Sequence, residues 1–147
     1  MRINLLEAGV PAGQARPVTR EIQHAIDLCH AAPAGGVVEI PAGEFLTGTL
    51  ILRSRVHLEL EPGAVLLGSA DPADYPVQPA PAYRSLHDVR GFRALIYAEG
   101  AEDISLSGPG TIDGQGAKFL RGNNDQDGRP RLLQFVSCRD VRVQDLR

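Results

Sequence analysis

The stretch SRVHLELEPGAVLLGS (54–69) decides the fold. Val56, Leu58 and Leu60 alternate with His57 and Glu59, a period of two that puts the aliphatics on one face of a strand. Pro62-Gly63 then turns the chain into a second apolar run, Ala64 to Leu67. The same figure returns as AEDISLSGPGTIDGQG (101–116), and SCRDVRVQDLR (137–147) repeats its first half. Val56, Ile104 and Val141 align, as do Leu58, Leu106 and Val143, and the runs TLIL, ALIY and LLQF precede the three blocks. The aligned positions lie 48 and 37 residues apart. Similar cores at unequal spacing predict one structural rung repeated, with loops of different length inserted between repeats, which is the pattern of a solenoid.

Upstream of the repeats the period is different. From Pro17 to Ala32, the residues Val18, Ile22, Ala25, Ile26 and Cys29 form one stripe of a helix. Pro17 or Thr19 can open that helix, Glu21 suits the positive end of its dipole, and Pro33 with Gly35-Gly36 ends it. Short β runs follow at 37–40, 45–48 and 49–52. The segment 69–91, rich in Pro, Ala and Asp, reads as a surface excursion between two rungs. Tight Asn-Gly or Asp-Gly turns between matched strands, expected of a hairpin sandwich, are lacking. The reading is therefore an all-β chain, a parallel β-helix whose first rung is covered by the helix at about 17–32. An uncovered end would expose strand hydrogen-bonding groups and an apolar interior.

Composition excludes several functions. The chain has 147 residues and a net charge of −3, without the basic stripe of a nucleic-acid binder. No apolar run reaches the roughly 20 residues of a membrane helix, and the opening MRINLLEAGVPAG does not read as a secretory signal. Neither nucleic acid nor membrane is expected as a partner. Two cysteines, Cys29 and Cys138, sit among apolar residues and read as buried structural thiols. The four histidines show no zinc spacing, and GPGTIDGQG lacks the Lys-Ser/Thr of a phosphate loop. Asn123, Asp125 and Asp127 resemble the start of a calcium loop, but the later Glu and the flanking helices are missing. No metal and no cofactor is expected.

The residues also resemble a known family. The stretches 21–76, 94–116 and 129–147, with PAGEFLTG, the rung LELEPGA and GPGTIDGQG in that order, are similar to the N-terminal part of the polygalacturonase-like enzymes. These form family 28 of the glycoside hydrolases, within the pectin-lyase-like superfamily. The chain departs from the family at the start, where GVPAGQARPVTR replaces an acidic Gly-Asp-Gly…Asp-Asp-Thr lead-in. The resemblance implies a right-handed parallel β-helix and hydrolysis of galacturonic acid or related linkages in pectin-type polysaccharide, by an inverting mechanism without a metal. It also implies catalytic carboxylates in an Asn-x-Asp motif and an Asp-Asp pair, followed by Gly-His-Gly and Arg-x-Lys. No such ordered set is found in the 147 residues. Residues 1–147 are accordingly expected to be the truncated N-terminal part of a single β-helix domain, inactive alone, with the catalytic residues beyond Arg147. A non-catalytic β-helix module that binds polysaccharide or serves as a structural piece is the alternative reading.

No residue of the chain is assigned a catalytic role. Asp113, between glycines, reads as a turn aspartate that bonds its own backbone. Asp125 and Asp127 read as a solvated loop, with a position at the border of a substrate groove as the sharper alternative. Arg53 and Arg55 read as ion-pairing or solvated residues. Arg129 and Arg131, on either side of Pro130 at the mouth of a strand, are the candidate substrate-binding residues. A guanidinium can grip the carboxylate of an acidic sugar through two parallel hydrogen bonds, although pairing with a nearby Asp is the competing role.

Overall fold

The computed structural model describes residues 1–79, 93–119 and 129–147. Its strands are β1 (Arg2–Asn4), β2 (Gly36–Ile40), β3 (Gly43–Thr47), β4 (Leu50–Ile51), β5 (Val56–Leu60), β6 (Ala64–Gly68), β7 (Ala94–Glu99), β8 (Glu102–Ser107), β9 (Thr111–Asp113), β10 (Arg131–Val136) and β11 (Arg139–Val143). One α-helix, α1, spans Thr19–Ala31. The strands form three sheets, in the orders β1-β2-β5-β8-β11, β3-β6-β9 and β10-β7-β4, and every pairing is parallel. Successive strands visit the three sheets in turn, so the chain winds a right-handed parallel β-helix.

The register sets one aliphatic above another. Leu58 pairs with Val38 and Leu106, and Leu106 with Val143; Ile104 pairs with Val141. Leu50, Ile96 and Leu133 form a row in the third sheet, and Phe45, Leu66 and Ile112 a row in the second. Alternate residues of β2, β5 and β6 are fully enclosed, as a period of two requires. Each buried Leu or Ile contributes roughly 1.5–3 kcal/mol by leaving water. The step from Val38 to Leu58 is a coil of 20 residues without insertion. The longer steps downstream come from one corner alone. Between the second and third sheets the first coil needs only Gly48 and Thr49, whereas 25 and 17 residues, 69–93 and 114–130, separate the corresponding strands of the next two.

The opposite corner repeats its backbone closely. Gly35 and Arg55 immediately precede β2 and β5, Asp103 and Asp140 are the second residues of β8 and β11, and all four are left-handed, with φ of 71°, 61°, 54° and 53°. Asp visits that region more readily than most residues, which helps explain the recurrence of Asp before Ile104 and Val141.

The first coil is closed by three different devices. Strand β1 pairs with the free edge of β2. Alongside β3, Gly13 N–H donates to Glu44 O (2.7 Å) and Val18 N–H to Leu46 O (2.8 Å). Alongside β4, α1 substitutes side chains for a strand. The amide of Gln23 accepts from Ile51 N–H (2.8 Å) and donates to Ile51 O (3.0 Å), and Thr19 Oγ1 accepts from Gly48 N–H (2.7 Å). The helix therefore begins after Val18 without a side-chain cap, because the Thr19 hydroxyl serves the sheet. Val18, Ile22, Ala25, Ile26 and Cys29 are all buried over the interior, as the stripe predicts. Cys138 differs from the expectation. It is half-buried, since it lies on the outermost described coil.

Candidate functional site

The long insertions leave β6 and β9 at one corner and return at the starts of β7 and β10. That corner is built in layers. Ser69, buried, donates from Oγ to Asp74 Oδ2 (2.5 Å) and accepts from Asp71 N–H (3.1 Å). Asp71 in turn caps a short 3-10 turn, Pro72–Asp74, by accepting from Ala73 N–H (2.9 Å). This knot sends Tyr75 back into the protein, where its hydroxyl donates to Ser69 O (2.6 Å) and its ring meets Phe119 edge-on at 5.9 Å. Burial, and behind it the charge of Asp74, pushes the Tyr75 phenol up to about 12. The excursion expected at 69–91 thus starts with a fully buried aromatic; residues 80–91, His87 among them, lie outside the described residues.

One coil further on, Asp113 makes the turn that its sequence suggests. Its Oδ1 accepts from Gln115 N–H (2.8 Å), Gln115 is left-handed at φ 48°, and Gln115 Nε2 donates to Gly68 O (2.5 Å). Gly114 and Gly116 are left facing a cleft of about 230 Å³, which Tyr75, Leu95, Arg129, Pro130, Arg131 and Leu132 complete. The structure brings Arg129 and Arg131 to this one cleft. Asn123, Asp125 and Asp127 lie outside the described residues.

Sequence reasoning missed the other members, Tyr75, Leu95 and Gly114 among them, because the cleft is assembled from two successive coils. A second cleft, of about 390 Å³, opens over the other end of β7 between His30, Arg53, Gln78, Tyr97 and Glu99. There Tyr97 donates to Glu99 Oε2 (3.0 Å), and burial followed by that carboxylate pushes its phenol up to about 12. Arg53 pairs with Asp27 of α1 at 3.4 Å, and Arg55 Nη2 donates to His30 O (3.4 Å).

Chemically the first cleft can hold an anion and an apolar ring edge. None of the described residues that line it is a carboxylate, so those residues offer no acid–base pair for splitting a glycosidic bond. Among the described residues no group of three His, Cys, Asp or Glu side chains is gathered for a metal.

Comparison with known proteins decides the kinship. No model of a protein family matches the chain. An exo-poly-alpha-D-galacturonosidase of Dickeya chrysanthemi is 36% identical over 96% of this chain and 24% of its own length. A polygalacturonase of Ralstonia solanacearum is 36% identical over 76% of this chain and 22% of its own. The solved structure of the Yersinia enterocolitica family 28 exopolygalacturonase superposes with a TM-score of 0.77 at 26% identity, over 99% of this chain and 34% of that one. The chain belongs to the polygalacturonase-like glycoside hydrolases of family 28. It spans about a quarter of the length of these curated relatives. For a polygalacturonase-like chain, the missing carboxylate motifs stand out. Asn123-Asn124-Asp125 has the letters of the first motif, but no Asp-Asp pair, Gly-His-Gly or Arg-x-Lys follows it in these residues.

Proposed function

We propose that the polypeptide carrying this chain hydrolyses galacturonic acid or related linkages of pectin-type polysaccharide, inverting the sugar through two carboxyl groups. In this reading residues 1–147 are the N-terminal part of one β-helix domain, and the catalytic carboxylates lie on coils beyond Arg147. The observation that carries it is kinship along almost the whole chain with proteins named for cleaving polygalacturonate. An inverting hydrolase needs its carboxyl groups about 6.5–9.5 Å apart, with water between them. Among the described residues the cleft described above holds none, and in this reading its role is to bind. Arg129 and Arg131 form a wall whose guanidinium groups grip the carboxylate of a uronic acid unit.

The test uses polygalacturonate and the full-length enzyme, with NMR of the first product formed. Inverted anomeric configuration supports the reading, and retained configuration or β-elimination products overturn it. Replacing Arg129 and Arg131 together by Ala should raise KM about tenfold or more with a smaller change in kcat, and the double Lys variant should recover only part of the loss. A full-length protein that binds polygalacturonate without cleaving it would establish the binding module instead.

A further inference from the structure

We infer that the second cleft, over the end of β7 away from Arg131, binds a single hexuronic acid unit. Arg53 takes the carboxylate of that unit, and Glu99 and His30 take its hydroxyl groups. Such a site shares none of its described lining residues with the first cleft, and it stands whether or not the polypeptide cleaves polygalacturonate. Its volume of about 390 Å³ falls in the range of small-molecule sites. The floor is apolar, for Ile51 and Tyr97 are partners in the register of β4 with β7 and pack together on the outer face of that sheet.

Three polar side chains at the cleft are each held by one partner and keep a further position open. Arg53 gives Nε to Asp27 of α1 (3.4 Å), and no described residue engages its two terminal nitrogens. Glu99 Oε2 accepts from the Tyr97 hydroxyl (3.0 Å), with Oε1 free among the described residues. His30 Nδ1 lies 3.0 Å from Ser54 O; a carbonyl only accepts, so Nδ1 carries the proton and Nε2 is left as an acceptor. Ser54 is fixed in turn by its Oγ, which accepts from Glu102 N–H (3.1 Å). These groups stand on α1, on β7 or just after β4, which preorganises them on rigid elements. Arg53 and Glu99 thus border one cleft with opposite charges, yet among the described residues no ion pair joins them. A molecule lying between them must offer a carboxylate to the guanidinium, through two parallel hydrogen bonds, and donors to Glu99. Hydroxyl groups are such donors, and they suit His30 Nε2 as well. A plain dicarboxylate would set a second negative charge against Glu99, and a neutral sugar would leave Arg53 unmatched. A uronic acid carries both groups on one ring, whose apolar face suits Ile51 and Tyr97.

Fluorotyrosine incorporated into the full-length protein puts a fluorine NMR reporter on Tyr97, assigned by the loss of its signal in Tyr97→Phe. Sodium galacturonate should move that signal saturably, in wild type and in the double variant Arg129→Ala, Arg131→Ala alike. Arg53→Met removes the guanidinium at a half-exposed position, where its pair with Asp27 adds little to stability. It should raise the galacturonate midpoint about tenfold at unchanged melting temperature. Galactose lacks the carboxylate and acetate lacks the hydroxyl groups, so each should titrate wild type at least about tenfold more weakly than galacturonate. A Tyr97 signal that galacturonate does not move overturns the site, and so does a shift lost in the double arginine variant. An unchanged midpoint in Arg53→Met, or galactose or acetate binding as well as galacturonate, overturns it too. Hydrolysis of polygalacturonate by the same protein is a separate readout, so the site and the hydrolase reading can each fail alone.

Discussion

Two residues show how little freedom the stack allows. Gly108 turns the chain at φ 102°, and a Cβ there would run into the carbonyl oxygen of Leu60 one coil below, so the corner after β8 needs glycine for space as well as for its dihedral. Tyr75 anchors the wall of the cleft by a ring contact and one hydrogen bond. Tyr75→Phe keeps the ring and removes the donor to Ser69 O, and should cost about 1 kcal/mol at neutral pH in urea unfolding. The same substitution has a signature in alkali. A phenol whose folded value is about 12 against an ordinary 10 contributes its full stability below pH 10. That contribution falls as pH rises through the interval, because the unfolded chain ionises first. Wild type should therefore lose stability between about pH 10 and 12 more steeply than Tyr75→Phe, with Tyr97 accounting for part of what remains. Parallel declines in the two proteins would show that burial of Tyr75 is not the cause.

At the scale of elements, the end of the stack depends on side chains that imitate a strand. Gln23→Leu keeps the volume over β4 but removes both hydrogen bonds to Ile51. It should lower stability by roughly 1–2 kcal/mol and abolish the slow exchange of the Ile51 amide. Retained protection would mean that β4 does not need the helix for its edge. The stripe from Val18 to Cys29 and the register of Val56, Ile104 and Val141 were both legible in the sequence, because aliphatic spacing reports which face is buried. Strand β1 was not: Arg-Ile-Asn is short and largely polar, and it becomes a strand only because β2 offers an edge. The use of Thr19 was hidden for a related reason, since a threonine at a helix start reads as a cap until Gly48 N–H arrives from 29 residues away. Arg129 and Arg131 could be singled out by their chemistry, whereas Leu95 and Tyr75 look like core until the corner between sheets puts them beside those arginines.

At the scale of the whole molecule, the two ends of the stack are unequal. The helix, β1 and residues 13–18 close the first coil. On the last coil the inward-facing Val141 and Val143 are 39% and 47% exposed, although Ile104 and Leu106 at the same register are each 1% exposed. Strands β10 and β11 also present free edges among the described residues, and Arg147 has already begun to pair beside β9, accepting from Ile112 N–H (2.9 Å) and donating to Gly110 O (3.1 Å). Apolar side chains and free strand edges on one surface favour association with another copy of that surface. The 147-residue chain by itself should therefore sediment as a mixture that grows heavier with concentration, and it should show no turnover of polygalacturonate. Val141→Lys with Val143→Lys places two charges on that surface, and at positions already exposed it should shift the chain to monomer with little change in melting temperature. Association that persists in the double variant would place the contact elsewhere on the molecule. A wild-type chain that stays monomeric at every concentration would show that the exposed coil end is not sticky enough to require a cover.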